Sequence, residues 1–159
     1  MWQFLNPVNI DFGCGQFNRV SKIIDGRSYA LVTYDDPVFQ DISTRLQAGA
    51  GIPQSIFDHV SPNPSFLDLA APCEKIKESP PDIIVALGGG SVIDTAKVLA
   101  LGTTGFNSVR IYLESKNSSN TLPESAIPII AVPTTAGTGS EVTKWATVWD
   151  TESARKYSL

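Results

Sequence analysis

Four consecutive residues, Gly88, Gly89, Gly90 and Ser91, carry the first chemical signal in the sequence. Glycine has no Cβ, so the backbone there turns sharply and lets a ligand come close. The preceding residues 81–87, Pro-Asp-Ile-Ile-Val-Ala-Leu, form the apolar run of a strand buried on both faces. Residues 92–101 then follow a helical pattern, with Gly102 as the stop. Ser91 is placed to cap that helix, and Asp94, three residues on, has the spacing of a capping box. Strand, glycine turn and helix N-terminus together form an anion site. Unpaired N–H groups and the positive end of the helix dipole converge on a phosphate. A tight strand-to-helix turn without a ligand fits the same residues.

The general nucleotide motifs fit poorly. Gly88 and Gly90 begin G-x-G-x-x-G, but Asp94 stands close to where the third glycine belongs. No Gly-Lys-Ser/Thr follows at P-loop spacing. A second hydroxyl-rich stretch exists, however. Pro133-Thr134-Thr135-Ala136-Gly137-Thr138-Gly139-Ser140-Glu141 follows another apolar strand at residues 127–132. Its donors suit the far wall of a phosphate site, and its threonines equally suit an ordinary loop. A third candidate lies at Tyr34-Asp35-Asp36-Pro37, after a strand at residues 29–33. An acidic residue there either accepts hydrogen bonds from ribose hydroxyls or caps the helix that Pro37 opens.

These residues need a scaffold, and the rest of the pattern supplies one. Residues 7–12 alternate apolar and polar, a strand signal, before a turn at Gly13, Cys14 and Gly15. Phe17, Val20, Ile23 and Ile24 share a helical face that ends at Gly26. Residues 38–50 read as a helix with Phe39, Ile42 and Leu46 inside, and residues 55–58 as a short strand. Residues 61–65 turn into a helix over 66–78, where Pro72 predicts a kink or an early break. Residues 103–123 are polar and weakly patterned, with 117–120 an exposed loop. Residues 144–149 alternate with period two, 150–153 turn, and 155–159 begin a return strand. Strands alternating with helices predict an α/β fold: a Rossmann-like parallel sheet with helices on both faces, plus a β-hairpin near the C-terminus.

Composition narrows the partners. The chain has 159 residues, enough for one domain with a core. Its 12 basic and 16 acidic residues give a net charge of −4 with no basic cluster, which argues against nucleic acid. No apolar run reaches the ~18 residues of a membrane span, and the start lacks the pattern of a signal peptide. Cys14 and Cys73 belong to no C-x-x-C pair, so free thiols in a reducing cytoplasm are expected. His59 is the sole histidine and receives no role.

The two motifs at 88–97 and 133–143, with the opening at Asn6-Pro7 to Gly15 and the turn Ser61-Pro62-Asn63-Pro64, resemble the iron-containing (group III) alcohol dehydrogenases. The resemblance spans nearly the whole chain, in order. It implies that residues 1–159 are a single NAD(P)-binding domain, whose partner in the family is a C-terminal helical domain holding Fe2+ or Zn2+. It implies cofactor contacts at Gly88, Gly89, Gly90 and Ser91 for the pyrophosphate. Thr134, Thr135 and Thr138 would line the opposite side of the cleft. Asp35 would meet the adenine ribose, favouring NAD over NADP. Asp94 would lie close to the nicotinamide and substrate, and Lys156 would contact the cofactor. The family's metal ligands, an Asp and three His, have no counterpart here, and no residue stands out as a catalytic acid or nucleophile.

The implied function is the cofactor-binding half of a metal-dependent alcohol dehydrogenase or aldehyde reductase. Hydride would pass between NAD(H) and a small alcohol or aldehyde. Dehydrogenases of the same superfamily acting on glycerol, maleylacetate or a phosphonate-bearing aldehyde fit as well, as does a non-catalytic nucleotide-binding module. The chain ends partway through a hairpin, so it is expected to be a truncated gene product or a cut piece, inactive alone. The aromatic residues 2–5 imply a homodimer paired through strands.

Overall fold

In the computed structural model of the protein, residues 6–115 and 126–159 are described. The elements are β1 (Tyr29–Val32), β2 (Ser55–Phe57), β3 (Ile83–Gly88), β4 (Ile129–Pro133), β5 (Thr147–Asp150) and β6 (Arg155–Ser158). Between them lie α1 (Val20–Ile24), α2 (Pro37–Ala50), α3 (Phe66–Glu78), α4 (Gly90–Ala100) and α5 (Phe106–Glu114). Strands β1 to β4 form a parallel sheet in the order β2-β1-β3-β4, and β5 and β6 form an antiparallel pair. The α/β fold, the parallel sheet and the hairpin expected from the sequence are all present.

The two faces of the sheet divide the strand residues by parity. Ala30, Val32, Ile84 and Ala86 pack with α3, α4 and α5 residues such as Leu69, Ile76, Leu99 and Val109. Tyr29, Leu31, Ile83, Val85 and Leu87 face α1 and α2 through Val20, Ile24 and Leu46. Residues of β1 and β3 are buried on both faces, which is why both read as apolar runs. Each fully buried Ile, Leu or Val adds roughly 1.5–3 kcal/mol. Both cysteines are free: Cys14 is exposed and Cys73 buried. Burial, helped by the Glu74 charge, pushes the Cys73 thiol up to about 12.

Strand order fixes where a ligand belongs. From β1 the chain crosses to β2 on one side, then returns past β1 to β3 and continues to β4. Direction therefore reverses between β1 and β3. In open parallel sheets, ligands occupy the crevice beyond the carboxyl ends of strands at such a switch point. Asp35 follows β1 and the glycine turn follows β3, so both stand at that crevice.

Several local expectations are corrected. Residues 7–12 form no strand, and Val8, Ile10 and Phe12 are exposed; alternation alone gives no strand without a neighbour to pair. Helix α3 runs through Pro72 without a break. A full capping box at Ser65 and Asp68, and buried Phe66, Leu69, Cys73 and Ile76, outweigh the one backbone bond that proline removes. Part of the weakly patterned 103–123 stretch is helical, as α5, with Val109 and Leu113 buried. Residues 117–120, expected as a loop, lie outside the described residues. Strand β5 begins at Thr147 rather than at residue 144, because residues 140–145 serve another role described below.

The starts of β1 and β3 are tied by Asp82, which accepts hydrogen bonds from the Ser28 backbone N–H (3.0 Å) and hydroxyl (2.7 Å). These bonds hold its carboxyl below the ordinary carboxylate range. A lowered folded pKa contributes stability that is present above the ordinary value and lost as pH falls through the folded one. Asp82→Ala should therefore lower the melting temperature at neutral pH. The gap to wild type should close below about pH 4 in a pH series of thermal melts. A gap that persists unchanged at pH 2 would contradict the assignment.

Candidate cofactor cleft

The glycine turn departs from the expected geometry in one instructive way. Gly88, Gly89 and Gly90 are absent from the residues with left-handed backbone, and Gly89 has φ −82° and ψ −168°. Glycine is needed for space instead. A Cβ on Gly88 would stand 2.5 Å from a Val92 methyl. On Gly89 it would stand 3.0 Å from Thr135 Oγ1 and 3.9 Å from the Tyr34 hydroxyl. On Gly90 it would stand 3.2 Å from the Thr138 methyl. The turn and the threonine loop thus face each other directly. Thr134 N–H donates to the Gly88 carbonyl at 3.0 Å, which fixes the near end of that loop.

Helix α4 begins two residues before the expected start, at Gly90 rather than at residue 92. Gly89 is its N-cap and offers no side chain to its first N–H groups. Ser91 and Asp94 do not form a capping box. Ser91 Oγ accepts from Asn63 N–H at 3.2 Å, which ties the 61–65 turn to the helix. Asp94 Oδ1 accepts from Ser140 Oγ at 2.6 Å, and Oδ2 accepts from Thr147 N–H at 3.0 Å. The helix N-terminus is consequently left uncapped by side chains at the crevice, with its donors available to an anion.

The Asp35–Asp36 ambiguity resolves by a division of labour. Asp36 caps α2, accepting from Val38 N–H at 2.9 Å, with Pro37 in the first turn. Asp35 is spared for the crevice. Its N–H donates to the Asp58 carbonyl at 2.8 Å, and its carboxylate accepts from Gln40 Nε2 at 2.9 Å. It lines a shallow, open cavity together with Tyr34, Phe39, Asp58, His59 and Val60. His59, given no role from sequence, is mostly exposed on this wall, 3.9 Å from Asp58.

Thr134, Thr135 and Thr138 are exposed on the loop beyond β4, opposite the turn. Lys156 is set apart on β6, where its ammonium lies over the Trp149 ring at 5.8 Å. The residue that sequence reasoning missed is Lys97. Its ammonium is largely buried and donates to the carbonyls of Ser140 (2.7 Å) and Trp145 (2.6 Å). Its place three residues after Asp94, on an otherwise apolar helix, was the available signal. Burial lowers its pKa, opposed by the charges of Asp94 and Glu141.

A nicotinamide dinucleotide fits these residues: a cradle that a Cβ would fill, free helix N–H donors, and a carboxylate at the end of β1. Among the described residues, no three His, Cys, Asp or Glu side chains converge to hold a metal ion. Among the described residues, no helix is long and apolar enough to cross a membrane.

Known proteins share both sequence and shape with this chain. It is 37% identical over 163 aligned residues to a choline dehydrogenase of Bacillus subtilis, covering 96% of this chain and 39% of that protein. The crystal structure of a sulfoacetaldehyde reductase from Bifidobacterium kashiwanohense in complex with NAD+ superimposes with a TM-score of 0.88 at 31% identity. It covers 100% of this chain and 43% of its own. An NADH-dependent butanol dehydrogenase A from Thermotoga maritima gives 0.84 at 26% identity, covering 100% and 41%. The chain therefore spans about two fifths of the length of these relatives. The family pattern of these enzymes extends over residues 7–159, and by that extent, with the fold it accompanies, the chain belongs to the iron-containing alcohol dehydrogenases.

Proposed function

We propose that the cleft between residues 88–91 and 134–138 binds NAD(H), and that the protein carries the cofactor half of an alcohol dehydrogenase or aldehyde reductase. The observation that carries this reading is Gly89. Its missing side chain keeps open the space between Thr135 Oγ1, Tyr34 and the uncapped start of α4. Backbone donors from Gly90 and Ser91 would hold the pyrophosphate. Hydroxyls of Thr134, Thr135 and Thr138 would close over it from the opposite wall. Asp35 would accept bonds from the adenine ribose. Lys156 and Asp94 are included from the resemblance, Asp94 with its carboxylate already engaged by Ser140 and Thr147.

The bound cofactor supplies or accepts hydride at its nicotinamide ring. This chain's residues bind and orient it. The sulfoacetaldehyde reductase and butanol dehydrogenase among the relatives support a small alcohol or aldehyde as the substrate class. Iron or zinc would be held by residues in the part of the family that this chain does not span. The reading includes a homodimer through residues 2–5, which lie outside the described residues; sedimentation velocity reads that state. It also includes a cytoplasmic location, which the exposed free thiol of Cys14 suits.

Cofactor preference tests the placement of Asp35. Its carboxylate would repel a 2′-phosphate, and Asp36 beside it adds to the negative field. Calorimetric titration should give NADH an affinity at least about tenfold higher than NADPH, with Asp35→Gly narrowing the ratio. Tighter NADPH binding by the wild type would overturn the placement.

A further inference from the structure

Resting on that reading of the cleft, we infer that Lys97 and Asp94 are positioning residues. They fasten both ends of residues 140–147 to one face of α4, and so hold the threonine loop at its working distance from the glycine turn.

The loop between β4 and β5 has few holds of its own. Residues 134–138 are exposed, and Gly137 and Gly139 have left-handed φ of 114° and 63°. At its near end Thr134 N–H is bonded to Gly88. At its far end the holds come from α4. Lys97 Nζ donates to the Ser140 carbonyl at 2.7 Å and the Trp145 carbonyl at 2.6 Å, with Ser140 Oγ at 3.1 Å and Thr143 Oγ1 at 3.4 Å. One ammonium thus gathers both ends of a six-residue arc, 140–145. Asp94, one helical turn earlier, takes the Ser140 hydroxyl and the Thr147 N–H. Ser140 is the shared knot, buried, and its N–H donates to Thr138 Oγ1 at 3.3 Å.

The chemistry of the site singles out a lysine. An apolar side chain would fill the space but orphan the Trp145 carbonyl and leave the Ser140 carbonyl only its long bonds from Thr143, the N–H at 3.4 Å. The side chain is largely buried, and the carboxylates of Asp94, at 4.0 Å, and Glu141 partly compensate its ammonium. Because all of its acceptors lie in 140–145, the effect of losing it falls on the loop that faces the glycine turn. The Asp35 cavity is built from other elements and does not depend on it.

The test compares Lys97→Met, Lys97→Arg and wild type by titration with NADH and with AMP, and by amide hydrogen exchange without ligand. Lys97→Met should weaken NADH binding about tenfold and leave AMP binding unchanged. Exchange across residues 135–143 should speed up, and Lys97→Arg should restore part of each effect. Should Lys97→Met fail to fold, Ser140→Ala should give the same split with a smaller loss. Unchanged exchange in the loop, or equal losses for NADH and AMP, would overturn the assignment. A wild type that binds AMP but not NADH would instead contradict the reading of the cleft, and the exchange measurement would still decide the role of Lys97.

Discussion

Gly89→Val should sharply weaken dinucleotide binding while leaving the fold intact. The backbone at Gly89 has a φ of −82°, open to any residue, so valine imposes no left-handed strain. The cost is spatial. The first added carbon would already stand 3.0 Å from Thr135 Oγ1, and two further methyl groups must go into the crevice. The pyrophosphate needs that volume, and the helix N–H groups behind it would be screened. A loss on the order of 100-fold in NADH affinity, roughly 3 kcal/mol, is expected by calorimetry. Gly88→Val supplies the contrast. Its Cβ would meet Val92, a core residue, at 2.5 Å, so that variant should lose stability rather than binding alone. NADH affinity unchanged in Gly89→Val would remove the basis of the proposed site.

The second large effect concerns turnover. These 159 residues should bind NADH and yet leave it unoxidised in the presence of short aldehydes, with or without added iron or zinc. Open catalytic metal sites need about three or four converging ligands. Among the described residues, no three candidate ligands converge, and His59 is the only histidine in the sequence. Asp94 is occupied by Ser140 and Thr147, and Asp36 by Val38. Metal polarisation is worth several kcal/mol of barrier, so a rate at least on the order of a thousandfold below a full-length family member is expected. Absorbance at the NADH band, with metal content measured by mass spectrometry, checks this. Stoichiometric metal or turnover above background would refute it.

What was legible in the sequence, and what was not, follows from which forces were local. The glycine turn was legible because a buried parallel strand and a following helix are both written in short-range pattern. The reason for Gly89 and Gly90 was not, since their crowding comes from Thr135 and Thr138, more than 40 positions away. The capping box shows the limit most plainly. Ser65-x-x-Asp68 and Ser91-x-x-Asp94 have the same spacing. The first closes a box, with Asp68 Oδ2 accepting from Ser65 N–H at 3.1 Å. The second does not, because Gly89 already occupies the cap and Asp94 is drawn to Ser140. Helix α5 had a readable face in Val109 and Leu113, but its glycine N-cap and the polar pair Asn107-Ser108 hid its start. Lys97 was unreadable as a clamp because its two nearest acceptors are backbone carbonyls, which leave no mark in a sequence.

The most direct measurement is a titration of the isotope-labelled protein with NADH, followed by amide NMR. Saturable shifts are expected at Gly89, Gly90, Ser91 and the 134–138 loop, with a second group around Asp35. Saturable shifts confined to another surface, or none at millimolar NADH, would contradict it.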